Sequence, residues 1–384
     1  MYNLFAFRFI VISLLVSGAT PSCAKQDANA LWQGPSASSS PADTSYLFDN
    51  NWIRLENGRA GWQAAPGSAT KIRVALFGET VLNDLNNDGN DDAVIFLTYQ
   101  GGGSGTFFYL AAALQEKGKY RGTNTIWLGD RIGPPAARVQ NGLVIVEYLD
   151  RNQNEPMTVA PSLLQTRYFI LVDSLLQEIK LAVDDAVYQG WLTIGHEVYS
   201  FQPCEKSALW LLGKPAALDA SIAAYRKTMP GFPPYTPVFA ILSGTTTIPP
   251  EEGFGAEYEQ AFSVSQIVHI WPKGNCRSNW IRLDSPLPGA NISSPVTIKG
   301  KARGIWFFEG DFPVILLDSQ DNKIAESYAT AHGEWMSEDF VEFEGVIPYS
   351  GALSGQRGFL LLKKDNPTGM EQFDDALRIP ITFE

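Results

Sequence analysis

Apolar residues along this chain recur mostly at every second position or in short runs, and turns rich in Gly, Asn, Asp and Pro separate them. That is the pattern of half-buried and fully buried β-strands. Strands are predicted over 71–77 and 93–99. The second leads through Gln100-Gly101-Gly102-Gly103-Ser104-Gly105 into 106–110, which reads as a hairpin with a glycine-rich turn. Further strands are predicted over 143–149, 168–172, 191–194, 208–212, 238–242 and 264–270. One helix stands out: Pro215 suits a first turn, and Leu218, Ile222, Tyr225 and Met229 recur at helical spacing. Beyond residue 279, short strands follow one another at about ten-residue intervals, the spacing of a β-sandwich. There Val296/Ile298 and Val314/Leu316 alternate with polar neighbours as one buried face.

The 384 residues exceed a single domain of ~100–200 residues. The pattern divides them into a signal peptide (1–22), a flexible linker (23–44), a β-rich module (45–184), a small β-barrel with one helix (185–278) and a β-sandwich (279–384). The linker contains Gly34-Pro35-Ser36-Ala37-Ser38-Ser39-Ser40-Pro41, which has no apolar period and little to bury. Asn51-Trp52-Ile53-Arg54-Leu55 recurs as Asn279-Trp280-Ile281-Arg282-Leu283, but the residues after the two copies do not match, so this is coincidence and not a repeat.

The first residues have the layout of a secretory signal. Arg8 is the positive flank, 9–16 the apolar run, and Ser17-Gly18-Ala19 the small residues. The run is too short for a permanent membrane span. Two cleavages are compatible with it. Thr20-Pro21-Ser22-Cys23 resembles a bacterial lipobox, in which the cysteine becomes the lipidated N-terminus, although Thr20 stands where an aliphatic residue is usual. Ordinary cleavage after Ala19 or Ala24 would instead release a periplasmic or secreted soluble protein. There are three cysteines, Cys23, Cys204 and Cys276. If lipid takes Cys23, the other two can pair in an oxidising compartment, closing a loop of about 70 residues worth roughly 4 kcal/mol. The expected place is therefore outside the cytoplasm, tethered to a bacterial membrane through Cys23. A net charge of −12 argues against nucleic acid as a partner.

Asp84-Leu85-Asn86-Asn87-Asp88-Gly89-Asn90-Asp91-Asp92 has the spacing of a calcium loop. Asp84, Asn86, Asp88 and Asp92 supply side-chain oxygens, Asn90 a carbonyl, and Gly89 the sharp turn. Ile95 stands where an EF-hand needs its bidentate Glu, so an EF-hand is excluded. The same residues in a metal-free Asx-rich turn are the alternative. The loop resembles the calcium loop of the FG-GAP repeats of integrin-like propellers, which lies between two strands; that resemblance implies a structural calcium ion.

Residues 294–309, running from Ser294-Pro295-Val296-Thr297-Ile298 to Trp306-Phe307-Phe308-Glu309, carry a second resemblance. Asp311-Phe312-Pro313-Val314, Trp335, Phe340, Phe343, Lys364-Asp365-Asn366-Pro367 and Ile379-Pro380-Ile381 continue it. The segment resembles the immunoglobulin-like domain of bacterial spore-germination proteins, a binding or structural module that brings no catalytic residues. Trp306 and Trp335 are expected in its core. Gly195-His196-Glu197, Phe201-Gln202-Pro203-Cys204 and Pro234-Tyr235 resemble an OB-like lipoprotein module. The loop with Gly103-Ser104-Gly105-Thr106-Phe107, Leu128-Gly129-Asp130-Arg131-Ile132 and Asp150-Arg151 resembles uncharacterised modules of bacterial envelope lipoproteins. The expected fold class is thus mainly β and multi-domain: an N-terminal β-rich module, an OB-like barrel with one helix, and a C-terminal immunoglobulin-like β-sandwich.

Motifs for catalysis are sparse. His196-Glu197 has no second His four residues on, so the zinc-protease motif is absent, and His196, His269 and His332 lie far apart. No Gly-x-Ser-x-Gly elbow occurs. Glu251-Glu252 and Asp374-Asp375 are adjacent carboxylates, which on a strand point to opposite faces. Asp130-Arg131 and Asp150-Arg151 suit loop-pinning ion pairs better than a substrate clamp. The function expected is a non-catalytic cell-envelope lipoprotein that binds or scaffolds, with envelope proteins or polysaccharide as partners. The alternative is a secreted or anchored enzyme acting on envelope polymers through the Asp130/Asp150 region.

Overall fold

The computed structural model describes residues 37–88, 90–204, 206–213, 215–228, 235–271, 274–351 and 353–384. The signal segment, most of the linker and Cys23 lie outside the described residues.

In the first module, β1 (Ser45–Phe48) and β2 (Asn51–Arg54) form a two-stranded ribbon. A larger antiparallel sheet contains β3 (Arg59–Gln63), β4 (Lys71–Asn83), β5 (Asp92–Gln100), β6 (Phe107–Glu116) and β7 (Lys119–Gly122), with β8 (Ile126–Asp130) also paired to β6. A second sheet is the meander β9 (Ala136–Gln140), β10 (Leu143–Asp150), β11 (Leu163–Val172) and β12 (Leu175–Ile179). The central strand β5 shows why the layers stack. Val94 and Phe96 join a core with Phe108 of the neighbouring β6 and with Val144, Val146 and Phe169 of the second sheet. Ala93, Ile95 and Leu97 join the opposite core, with Tyr46, Phe48 and Ile53 of the ribbon and Leu55 just after it. A strand covered on both faces reads as a continuous apolar run, and each large side chain buried there contributes about 1.5–3 kcal/mol.

The packed body also takes in residues 38–43, which composition assigns to the linker. Ser38 and Tyr120 exchange backbone hydrogen bonds at 3.0 and 2.6 Å, and the Tyr46 hydroxyl donates to the Pro41 carbonyl at 2.7 Å. Backbone pairing needs no apolar side chain, so hydropathy carries no trace of it.

The middle module closes into a barrel. Its strands are β13 (Ala186–Ile194), β14 (Tyr199–Pro203), β15 (Leu209–Gly213), β16 (Val238–Thr247) and β17 (Gln260–Trp271), in the order β13-β14-β15-β17-β16. All pairs are antiparallel except β15 with β17. Helix α1 (Pro215–Thr228) connects β15 to β16, and its Ile222 and Tyr225 pack onto the barrel core around Phe201 and Phe262. The side chain of Leu218 and residue Met229 lie outside the described residues. Cys204, directly after β14, is bonded to Cys276, beyond β17, with Cα atoms 5.3 Å apart and a sequence separation of 72. The predicted disulfide is therefore present.

The last module is a single curled sheet of eight strands: β18 (Ile281–Ser285), β19 (Asn291–Ile292), β20 (Val296–Arg303), β21 (Asp311–Asp318), β22 (Lys323–Ala331), β23 (Phe340–Ile347), β24 (Arg357–Lys363) and β25 (Ala376–Phe383). The spatial order is β18-β20-β23-β22-β21-β24-β25-β19. Alternate residues point inward. Ile298 and Phe343 of one half meet Val314, Leu360 and Ile379 of the other in one core, and Phe312 meets Phe343 edge to face at 4.9 Å. Trp306 is buried in this core as expected, and Trp335 is half-buried against it.

The modules share apolar joints. Leu143, Ile145 and Ile170 of the first belong to the same cluster as Ile241 and Trp271 of the barrel. Gly142 sits in the turn between β9 and β10 at φ +74°, and a Cβ there would lie 2.6 Å from the Trp271 ring. Only glycine allows both that backbone angle and that approach.

Candidate functional site

The acidic loop joins β4 to β5. Its side chains are turned onto its own backbone. Asp84 Oδ1 and Asn86 Oδ1 accept from the Asp88 amide at 3.2 and 2.9 Å. Asp88 Oδ1 accepts from the backbone and side-chain nitrogens of Asn90, and its Oδ2 from Asn86 Nδ2 at 2.8 Å. Asp92 is fully buried and accepts from the amides of Leu85 (3.0 Å) and Gln115 (2.9 Å). Leu85 plugs the loop into the first module's core. Gly89 lies outside the described residues.

Three cations from the immunoglobulin-like domain reach this loop. Arg282 Nη2 donates to Asp84 Oδ2 at 2.7 Å, in a pair whose side chains are 8% and 0% exposed. Lys301 Nζ donates to the Asp88 carbonyl at 3.1 Å, and Arg303 Nη2 to Asp91 Oδ2 at 3.1 Å. The β-register explains the convergence. Arg282 on β18 lies directly opposite Lys301 on β20, and Arg303 follows two residues later on the same face. Phe340, opposite Arg303 on β23, lies under both guanidinium groups, at 4.2 Å from Arg282 and 4.6 Å from Arg303. Arg282 Nε and Nη1 are buried without a hydrogen-bond partner, so the pair is a single charge-assisted bond and not a two-pronged fork.

Burial dominates the electrostatics. It raises the Asp84 pKa above the usual carboxylate value, against the lowering by Arg282, and it lowers that of Arg282. Burial pushes Asp92 up to about 7, although the Gln115 and Leu85 amides oppose this, and the charges of Asp88 and Asp84 add to the rise. The donor set of Asp84, Asn86, Asp88, the Asn90 carbonyl and Asp92 suits calcium in kind, because all are hard oxygens and the crowded carboxylates would gain from a cation. The arrangement is that of an Asx-turn clasped by an arginine. Among the described residues no three acidic, His or Cys side chains converge on one point, so holding an ion requires these carboxylates to turn from their amides.

The other residues singled out in the sequence are dispersed. His196 and Glu197 are exposed on the turn between β13 and β14, with Nδ1 and Oε2 3.8 Å apart. Asp130 holds Arg131 at 3.0 Å and accepts from the Thr106 amide, while Arg151 donates to the Arg131 carbonyl at 2.9 Å. These contacts pin the loops after β8 and β10 to one another. Asp375 pairs with Arg277 at 2.7 Å, and Asp374 accepts from Asn366. Arg282, Lys301 and Arg303 are the residues that sequence reasoning missed as part of this site. One signal was present: a basic stripe at alternate positions on a strand, facing solvent by pattern, in a chain that also carries a crowded acidic loop.

Residues 280–371 match the family model for the immunoglobulin-like domain of bacterial spore germination. No curated protein matches the chain.

Proposed function

We propose that this protein is a non-catalytic lipoprotein of a bacterial cell envelope that acts as a binding or scaffold component, lipidated at Cys23 and carrying a structural calcium ion at Asp84, Asn86, Asp88, Asn90 and Asp92. The observation that carries this reading is the way the modules are joined. The first module and the immunoglobulin-like domain, nearly 200 residues apart in sequence, are clasped through Arg282 and Asp84, a pair separated by 198 residues. Buried contacts hold the barrel against both neighbours, and the Cys204–Cys276 bridge ties the end of β14 to the segment beyond β17. Such joints suit a stiff body that presents surfaces at a distance from its anchor, whereas a processing enzyme profits from an open cleft between mobile domains. The signal-like leader and the polar stretch between Cys23 and the start of the packed body at Ser38 support a tether. Calcium is supported by the spacing of the oxygens and by the crowding of the Asp84, Asp88 and Asp92 carboxylates in one short loop.

Membrane fractionation of cells expressing wild type and Cys23→Ser tests the reading. The wild type should sediment with membranes, and the variant should appear folded in the soluble extracytoplasmic fraction. Equal partition of the two proteins would count against the anchor.

A further inference from the structure

A groove of about 860 Å³ runs between the barrel and the immunoglobulin-like domain, within the ~300–1,000 Å³ typical of ligand sites. One wall is the face of β13 and β14 that carries Thr193, Ser200 and Gln202, where Thr193 and Ser200 are cross-strand partners. The opposite wall comes from β24 and β25, where Arg357 and Thr382 are partners. The lining includes three arginines and a single carboxylate, Asp321, in a chain whose net charge is −12. Two of the arginines are committed: Arg277 to Asp375 and Arg378 to Asp321.

Arg357 differs from both. Its guanidinium lies over the Tyr235 ring at 5.3 Å, and among the described residues it has neither a carboxylate nor a hydrogen-bond partner. Tyr235 is itself held by donating its hydroxyl to the His196 carbonyl at 3.0 Å. A guanidinium resting over a ring keeps its N–H groups free to donate, and such a group can take a carboxylate by two parallel bonds. The same groove is lined by hydroxyl and amide groups, which match the donors and acceptors of a sugar ring. Base stacking needs open aromatic faces, but Arg357 covers Tyr235 and Arg378 covers Phe359, at 3.5 Å.

We propose that this groove binds a short acidic oligosaccharide of the uronate type, its carboxylate held by Arg357 and its hydroxyls by Thr193, Ser200 and the Oε1 of Gln202, whose Nε2 already donates to the Pro203 and Lys206 carbonyls. This deepens the reading of the chain as an envelope binding component. It stands apart from the lipid anchor, because a glycan assay can fail while Cys23 is still lipidated.

The test is calorimetric titration of the purified protein with trigalacturonate, trimannuronate and a hyaluronan tetrasaccharide, beside maltotriose, inorganic phosphate and oligo-dT. At least one acidic glycan should bind and maltotriose should not. Arg357→Gln, a change at an exposed position, should weaken binding about tenfold or more, the loss expected for one hydrogen-bonded charge. Ser200→Tyr, which fills the groove, should abolish it, and both variants should keep the wild-type circular dichroism and melting temperature. Failure of all three acidic glycans overturns the proposal, as does binding that Arg357→Gln leaves unchanged. Equal competition by phosphate would reduce the site to an anion site, and preferential binding of oligo-dT would assign it to nucleic acid; either result also overturns the proposal.

Discussion

Replacing Arg282 by Met should be one of the most damaging single changes outside the hydrophobic cores. The substitution keeps the apolar stem and removes the charge. It leaves the Asp84 carboxylate, whose side chain is fully covered, without its counter-ion. Breaking a buried pair from one side costs about 3–5 kcal/mol, and the lost stacking on Phe340 adds up to about 1 kcal/mol. Asp84 can limit the damage by taking up a proton, at about 1.4 kcal/mol for each pH unit between its pKa and the assay pH. A net loss of about 3–5 kcal/mol at pH 7 follows. Asp84→Asn alone should cost a similar amount, because it strands a buried guanidinium. The double variant Asp84→Asn/Arg282→Met should recover much of the loss, giving a coupling of about 2–4 kcal/mol. Arg54→Met is the internal control: Arg54 occupies the same place in the recurring Asn-Trp-Ile-Arg-Leu segment but is exposed on β2, so its replacement should stay within about 0.5 kcal/mol. The assay is urea unfolding of the purified protein with calcium chelated, followed by tryptophan fluorescence. With several modules the quantity to compare is the first transition. If Arg282→Met cost no more than Arg54→Met, or if the two single losses simply added, the clasp would contribute nothing as a pair.

Other predictions follow from the joints and the loop. Gly142→Ala places a methyl group against Trp271 at a positive φ, and should lower the melting temperature by several degrees, while Gly118→Ala, at a similar φ but with open space around it, should cost less. Reducing the Cys204–Cys276 bridge, or replacing both cysteines by Ser, should destabilise the barrel by roughly 4 kcal/mol on the chain-entropy model, measurable in chemical unfolding with and without reductant. In chelator, the contribution of Asp92 runs against the usual carboxylate trend: the folded state keeps a proton that the unfolded chain releases, so its stabilisation is complete below 3.8 and is lost as pH rises to about 7. Calcium binds the ionised carboxylate, so it should raise the melting temperature more at pH 8 than at pH 6, and Asp88→Ala should erase that difference. Identical melting curves in calcium and chelator at both pH values would leave a metal-free turn.

The fold was legible wherever burial follows a local period. The inward alternation of β20, β21, β23 and β25, the two-sided apolar run of β5 and the stripe of Ile222 and Tyr225 on α1 all record one element against one core. The disulfide was legible because three cysteines, one of them next to the signal-like leader, leave few pairings. The clasp was hidden for a physical reason. Arg54 and Arg282 sit in the same five-residue segment, yet one is exposed and the other buried, because the loop that covers Arg282 arrives from 198 residues away. No window of local hydropathy contains that information. The acidic loop was found by its spacing alone, but whether its charge is met by an ion or by a guanidinium depends on what packs above it. The pairing of Ser38 with Tyr120 was invisible for a related reason, since it is made by backbone alone.

The central claim is that the packed body is tethered through a lipid at Cys23, and the intact mass of the mature protein extracted from membranes tests it most directly. The account predicts an N-terminus at Cys23 carrying added acyl mass, with two or more chains as stable anchoring requires. A mature N-terminus at Thr20 or Lys25 without added mass would contradict it and make this a freely secreted protein.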